Sequence, residues 1–155
     1  GHYDITENNI RTLLGLDAVA AQHSEQRVSS PGQTPETYLG SARAEHETTA
    51  DPLPLHGWRL SGQWKRLPQY IESTTGNEML SLHYKAKKVF VVMESGAGKP
   101  LDVRVMDKGT GVEKTIRVDS SELYEIVTRN DFGDGTVTLW ATTPGLRCYS
   151  FTFEG

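Results

Sequence analysis

Cysteine is nearly absent from this 155-residue chain, which contains only Cys148. A single cysteine allows no intramolecular disulfide, no CxxC redox pair and no cysteine-based zinc cluster. Long apolar runs are also missing, because no stretch approaches the roughly 20 residues that a membrane-spanning helix requires. No secretory signal peptide opens the sequence. The sequence therefore predicts no membrane span and no redox centre within these residues.

Positive charge is not in excess either, since 16 Lys and Arg face 20 Asp and Glu, giving a net charge of -4. A nucleic-acid-binding domain normally carries a basic surface, so this class of function is not expected. The sequence also lacks a G-x-S-x-G elbow, a P-loop and an H-E-x-x-H motif. We therefore predict no catalytic residue, no resident metal and no enzyme activity for this chain.

Hydrophobic residues make up 36% of the chain, which suits one folded region joined to a polar segment. Residues 1–21 are predicted to form a short helix, because Ile10, Leu13 and Leu14 recur at helical spacing. The apolar stripe of such a helix needs a partner surface. Residues 22–56 are rich in Ser, Thr, Pro, Gly, Glu and His and are predicted to form a polar linker or strap. Within it, Tyr38 and Leu39 are expected to anchor the strap to the folded body.

Residues 57–155 show the alternation of apolar and polar residues that is typical of half-buried strands. Val89–Met93 is instead a continuous apolar run, as expected of a strand that is buried on both faces. Turn signals separate about eight or nine short strands, and Asp134-Gly135 predicts a hairpin. The pattern predicts an all-β antiparallel sandwich of the jelly-roll type. The predicted core includes Trp58, Leu60, Trp64, Leu80, Leu82, Tyr84, Val91, Val103, Val105, Leu139, Tyr149, Phe151 and Phe153.

Several separated motifs resemble one known family, the DipZ-type thioredoxin-like proteins. GHYDITENNIRTLLG at residues 1–15 resembles the closing helix of their thioredoxin-like domain, and TPETYLG at residues 34–40, followed by Arg43, resembles their connecting segment. The pattern W-x-L-x-G-x-W from Trp58, LHYKAKKVFVVM at residues 82–93 and PGLRCYSFTFEG at residues 144–155 resemble their C-terminal module. The motifs fall in the same order as in that family.

The resemblance implies a module with a jelly-roll fold similar to carbohydrate-binding modules. In that family it follows a thioredoxin-like domain outside the cytoplasm, and a CcdA-like membrane part or a signal precedes that domain. The parent protein would then be a bacterial thiol-disulfide oxidoreductase of the periplasm or cell envelope with a role in cell redox homeostasis. The family's catalytic cysteines belong to the thioredoxin-like domain, and no position of this chain matches them.

The candidate ligand-binding residues are Trp140, Thr138 and Tyr70. Trp140 shares its strand face with Thr136 and Thr138, so its ring is expected to form an exposed platform or to lie under the strap. Aromatic platforms of this kind hold the faces of sugar rings. Trp58 and Trp64, by contrast, share their face with Leu60 and are expected in the core. Tyr70 lies between Pro68 and Ile71 and is a weaker candidate.

The acidic stretch NDFGDG contains Asn130, Asp131 and Asp134, whose side-chain oxygens suit calcium. Its spacing does not match the EF-hand loop, and a plain hairpin turn explains the same residues. Calcium is therefore a secondary alternative to a site without metal.

Two functions remain open from the sequence. The first is a binding module that holds a glycan or a glycosylated protein. The second is a structural or interaction module that packs on its own thioredoxin-like domain or forms a dimer.

Overall fold

The computed structural model describes residues 30–155, so the helix predicted for residues 1–21 lies outside the described residues. All pairings between the nine strands are antiparallel. No helix occurs within residues 30–155. The strands are β1 (Thr37–Tyr38), β2 (Trp58–Ser61), β3 (Trp64–Arg66), β4 (Ile71–Ser73), β5 (Glu78–Ser95), β6 (Leu101–Asp107), β7 (Glu113–Val118), β8 (Glu122–Ala141) and β9 (Leu146–Glu154).

Two long strands, β5 and β8, run through both layers of the sandwich. Residues 78–86 of β5 pair with β2 and with residues 133–141 of β8, and β6 and β7 extend this first sheet. Residues 88–95 of β5 pair with β9 and with residues 122–128 of β8, and β1, β4 and β3 extend this second sheet. The predicted fold class, an all-β antiparallel sandwich, is confirmed.

The bend between the two halves corrects the predicted strand boundaries. Across the bend of β8, residues 129–132 lie opposite Lys87 alone, so the ladder is interrupted while both strands continue. The predicted hairpin at Asp134-Gly135 is therefore wrong, because Gly135 belongs to β8 and pairs with Tyr84. Strands commonly change sheets at such bulges. The runs predicted as separate strands, Leu80–Ala86 and Val89–Met93, are likewise two halves of β5.

A buried tyrosine and a buried aspartate hold this bend to the turn that follows β6. Tyr84 Oη donates to Asp107 Oδ1 at 2.9 Å, and Arg129 Nη1 donates to Tyr84 Oη at 3.3 Å. Burial, together with Asp107, raises the pKa of Tyr84 to about 12. The backbones approach so closely that a Cβ on Gly135 would lie 2.7 Å from Tyr84 Oη and 2.8 Å from the Cα of Gly109. Only glycine fits at this contact.

The core lies between the two sheets. It is formed by the inward-pointing residues that the alternation of each strand predicted. Nearly all predicted core residues are buried there, Phe151 with 0% and Phe153 with 1% of their surface exposed. Leu60 and Trp64 are only partly buried and pack against the edge of the core. Tyr149 is buried outside the main core, in a second cluster with Val92.

The segment before β2 packs on the sandwich at several points. Leu39 is 1% exposed and donates its backbone N–H to the Tyr149 carbonyl at 3.0 Å, which confirms it as an anchor. The indole N–H of Trp58 donates to the Glu45 carbonyl at 2.7 Å. The proposed division into residues 1–21, 22–56 and 57–155 stays a prediction.

His56 and His83 join the segment before β2 to β5. His56 donates its backbone N–H to the His83 carbonyl at 2.7 Å, and its ring Nδ1 lies 2.8 Å from Thr34 Oγ1. Desolvation lowers the pKa of His56, and repulsion from His46, His83 and Lys85 lowers it further. The folded chain therefore favours the neutral imidazole of His56.

Replacing Phe151 with alanine is expected to lower the free energy of unfolding by about 3–5 kcal/mol, because it leaves a cavity beneath a fully buried aromatic ring. Chemical denaturation followed by tryptophan fluorescence measures this change. Val112→Ala is the matched control, since Val112 is 48% exposed and should lose little stability. An unchanged midpoint for Phe151→Ala would contradict the strand alignment.

His56→Asn is expected to make stability less dependent on pH between neutral and mildly acidic conditions. The folded pKa of His56 lies below the ordinary histidine value of 6.5, so below that pH the unfolded chain takes up the proton first and stability falls as the pH drops. Asparagine tolerates the φ of 72° at this position. Denaturation midpoints at pH 7.5 and 5.5 test this prediction, and an equal loss of stability in both proteins would refute it.

Candidate functional site

The outward face of the first sheet has a mixed apolar and polar centre, which we call the Trp140 face. Cross-strand pairing places Trp140 of β8 between Met79 of β5 and Arg104 of β6. The next row joins Thr138 to Ser81 and Met106. Arg104 is exposed and the others are half-buried. The face is made of Met79, Ser81, Arg104, Met106, Thr138 and Trp140.

Trp140 points outward from β8, since it alternates with inward-pointing Leu139, and it lies between its pairing partners on β5 and β6. The guanidinium carbon of Arg104 lies 5.5 Å from the ring centroid, within the range of a cation–π contact. The indole Nε1 is buried and has no hydrogen-bond partner among residues 30–155. A buried donor without an acceptor is unfavourable, and because this atom has no exposed surface, only the carbon edge and face of the ring are open to a ligand.

Polar side chains beside the Trp140 ring are held by a hydrogen bond and an ion pair. Ser81 Oγ and Thr138 Oγ1 lie 2.9 Å apart in a hydrogen bond. Arg104 is 3.7 Å from Glu113, and both side chains are largely exposed. An exposed ion pair of this kind contributes little to stability, so Arg104 can exchange it for a ligand at little cost.

The segment before β2 borders the Trp140 face. Arg59 Nη1 donates to the Ala50 carbonyl at 2.8 Å. His83 points outward from β5, where its Nδ1 lies 2.9 Å from the Leu53 carbonyl and its Nε2 lies 2.8 Å from Asp134 Oδ2. The hydrogen bond to His83 lowers the pKa of Asp134. This edge of the face is therefore fixed by hydrogen bonds.

The structure separates Tyr70 from the other two candidates. Thr138 and Trp140 share the Trp140 face, whereas Tyr70 packs against Tyr149 with ring centroids 5.1 Å apart, on the outward face of the second sheet. The guanidinium carbon of Arg147 lies 4.9 Å from the Tyr70 ring. Tyr70 thus cannot contribute to a site centred on Trp140.

The three calcium candidates lie at the bend of β8. Asp134 is engaged by His83, and the Asp131 carbonyl accepts a hydrogen bond from Arg129 Nε at 3.1 Å. Asn130 and Asp131 are exposed. Within residues 30–155 no group of three or more His, Cys, Asp or Glu side chains could hold a metal ion. The geometry therefore gives calcium no support here.

The sequence did not reveal Met79, Met106 and Arg104 as neighbours of Trp140. They lie on different strands from Trp140, and only the registers of β5 and β6 against β8 bring them together. Alternation within each strand shows which residues point outward, but it does not show which outward residues meet.

Cys148 is fully buried, and burial raises the pKa of its thiol. The thiolate, which is the reactive form, is therefore disfavoured. In the part of the chain that the structure describes, no helix is both long and apolar enough to cross a membrane.

Two solved structures have similar folds. A family two carbohydrate esterase from Cellvibrio japonicus aligns with a TM-score of 0.60 and 13% identity over 78% of this chain and 34% of the esterase chain. A family two carbohydrate esterase from Clostridium thermocellum in complex with cellohexaose aligns with a TM-score of 0.54 and 16% identity over 63% of this chain and 31% of that chain. This chain thus spans about a third of the length of each. At these identities the similarity shows the fold alone.

No curated protein matches the sequence significantly. A family model does match, and it covers residues 34–154, from the start of the TPETYLG motif almost to the end of β9. Its description is thioredoxin-like C-terminal domain. The match includes all nine strands and the Trp140 face. This chain therefore belongs to the family of thioredoxin-like C-terminal domains.

Proposed function

We propose that this domain is a non-catalytic accessory domain of an exported, DipZ-type thiol-disulfide protein and that it binds a glycan on the Trp140 face. The observation that carries the binding role is a half-buried indole on the middle strand of an outward sheet face, with ordered hydroxyls and a weakly paired arginine around it. These groups match the chemistry of a sugar, which presents C–H faces and hydroxyls together.

Each part of the face has a role in this proposal. The Trp140 ring would stack on the C–H face of one sugar ring, while Met79 and Met106 would adapt to its edges. Ser81 and Thr138 would exchange hydrogen bonds with sugar hydroxyls. Arg104, whose guanidinium lies over the indole at 5.5 Å from the ring centroid, would move aside as the sugar stacks and would then donate to a ring oxygen or a hydroxyl at its edge. Such an arrangement of a few placed polar groups around an aromatic surface is typical of ligand sites.

The redox role of the parent protein is supported by the family and by the resemblance to DipZ-type proteins. The only cysteine of this chain has a raised thiol pKa and no exposed surface. We therefore assign thiol-disulfide chemistry to a thioredoxin-like domain of the parent and not to this module. The same resemblance supports a location in the periplasm or cell envelope.

A second function, an interaction module, is favoured by a different observation. The outward face of the second sheet carries an apolar cluster of Val92 and Tyr149, against which Tyr70 and Leu123 pack and remain partly exposed. The two roles use opposite faces of the sandwich and are compatible.

Titration of the isotope-labelled chain with soluble glycans, cellohexaose among them, tests the binding role. We expect saturable amide shifts centred on Trp140, Thr138 and Met106 for at least one glycan. Repeating the titration with calcium and with a chelator distinguishes binding that depends on metal from binding that does not. Amide shifts at Asn130, Asp131 and Asp134 on addition of calcium would support the calcium alternative.

Trp140→Ala should weaken this binding at least about tenfold, equivalent to about 1.4 kcal/mol, because the stacking surface is lost. Tyr70→Ala is the matched control, since it removes a half-buried aromatic ring from the opposite face and should leave binding unchanged. Retained amide dispersion shows that each variant is folded. Equal binding by Trp140→Ala and the parent chain would exclude the Trp140 face, and no shift with any glycan would favour the interaction module.

A further inference from the structure

We infer that the glycan held on the Trp140 face is acidic and that Arg104 pairs with the carboxylate of one of its uronic acid units. This inference rests on the proposed glycan binding and names the chemical class of the ligand. Three observations lead to it: the loose pairing of Arg104, the neutral side chains around it and its contact with the Trp140 ring.

Arg104 is held only loosely by Glu113. The Arg104 Nη2 atom lies 3.7 Å from Glu113 Oε1, which is beyond the range of a hydrogen bond. Arg66, on the edge of the second sheet, shows the contrast, since its two Nη atoms each donate to a carboxylate oxygen of Glu47 at 2.6 Å. Two parallel hydrogen bonds of this kind are the strong form of an arginine–carboxylate contact. Arg104 therefore keeps its paired donors for a carboxylate that a ligand supplies.

Arg104 is the only charged member of the Trp140 face. The other five members are all neutral: Met79, Ser81, Met106, Thr138 and Trp140. An anionic ligand group next to the indole would therefore meet a positive charge without a carboxylate among these members to oppose it. The net charge of the chain is -4, so the attraction would come from Arg104 and not from the overall charge.

The position of Arg104 suits a group at the edge of a stacked sugar. Trp140 and Arg104 are direct partners across β8 and β6, and the guanidinium carbon lies 5.5 Å from the ring centroid. Directly opposed residues of neighbouring strands have Cβ atoms about 5 Å apart. A uronic acid carries its carboxylate on the ring carbon next to the ring oxygen, so this group projects from the edge of the sugar. When Arg104 moves aside for the sugar, that carboxylate lies within reach of its donors.

Two acidic side chains favour a ligand group with a single charge. Asp102 of β6 and Glu113 of β7 lie beside Arg104 on the outward side of the first sheet. A phosphate monoester carries close to two negative charges at neutral pH, and both carboxylates would repel it. A sugar carboxylate carries one charge, which Arg104 alone can balance. Glu113 is 66% exposed, so it can turn into solvent when Arg104 changes partner.

Titration with matched acidic and neutral trisaccharides tests the inference. The probes are tri-galacturonate and tri-mannuronate, each compared with its own methyl ester, which keeps the sugar rings and linkages and removes the charge. We expect at least one triuronate to bind about tenfold more tightly than its ester, because a charged hydrogen-bonded pair is gained. The amide shifts should centre on Trp140 and Arg104.

Three variants assign the preference to Arg104. Arg104→Met should bring the triuronate and its ester to within about twofold of each other in affinity. Glu113→Gln should tighten binding of the triuronate and leave the ester unchanged, because Arg104 loses its competing partner. Lys114→Met is the matched control. It removes the same charge from an exposed position, but Lys114 pairs with inward-pointing Val105 and thus lies on the other side of the sheet, so the preference should remain.

The outcomes separate this inference from the proposed function. Equal affinity for triuronate and ester would overturn the acidic ligand and leave glycan binding standing. Binding of cellohexaose without binding of either triuronate would have the same meaning. A preference that survives Arg104→Met, or that disappears equally in Lys114→Met, would also overturn the inference. If none of the glycans bound, the proposed glycan binding would fall together with it.

Discussion

The bend shared by β5 and β8 determines which residues of this domain face one another, because both sheets are built from the same two strands. Before the bend in β5, side chains such as Leu82 belong to the first sheet, and after it side chains such as Val91 belong to the second. The hydrogen bond from Tyr84 to Asp107 and the contact between Gly109 and Gly135 hold the bend in place. A bulkier residue at that contact would displace the turn after β6. Strand β6 contributes Arg104 and Met106 to the Trp140 face.

The sequence predicted inward and outward positions well, because alternation is a local property of each strand. Phe151, Val103 and Leu139 all point into the core as expected. The failure at Asp134-Gly135 is also local in origin. That dipeptide is favourable in a hairpin turn, but here Gly135 is needed for its close approach to Gly109, a residue of another strand connection. The turn propensity of a dipeptide therefore does not establish that the chain reverses there, since Asp134 and Gly135 both stay in the ladder with β5.

The candidate site was predictable in part for the same reason. The position of Trp140 on an outward face follows from its own strand, whereas its contacts with Met79 and Arg104 depend on the registers of two other strands. Tyr70 shows the limit most clearly. Its neighbours in sequence indicate a turn, but nothing local assigns that turn to one sheet or the other, and the fold places it against Tyr149.

The different character of the two outward faces restricts what the domain can do for its parent. Face-to-face sheets lie about 10 Å apart, so a partner on the outward face of the second sheet and a ligand on Trp140 would be separated by at least the thickness of the sandwich. A glycan held at Trp140 would then not touch a thioredoxin-like domain docked on the other side. Binding could localise that domain and fix its orientation relative to a glycosylated surface, but it could not contribute groups to the thiol-disulfide chemistry. Both proposals therefore assign this module to positioning its parent, with catalysis left to the redox domain.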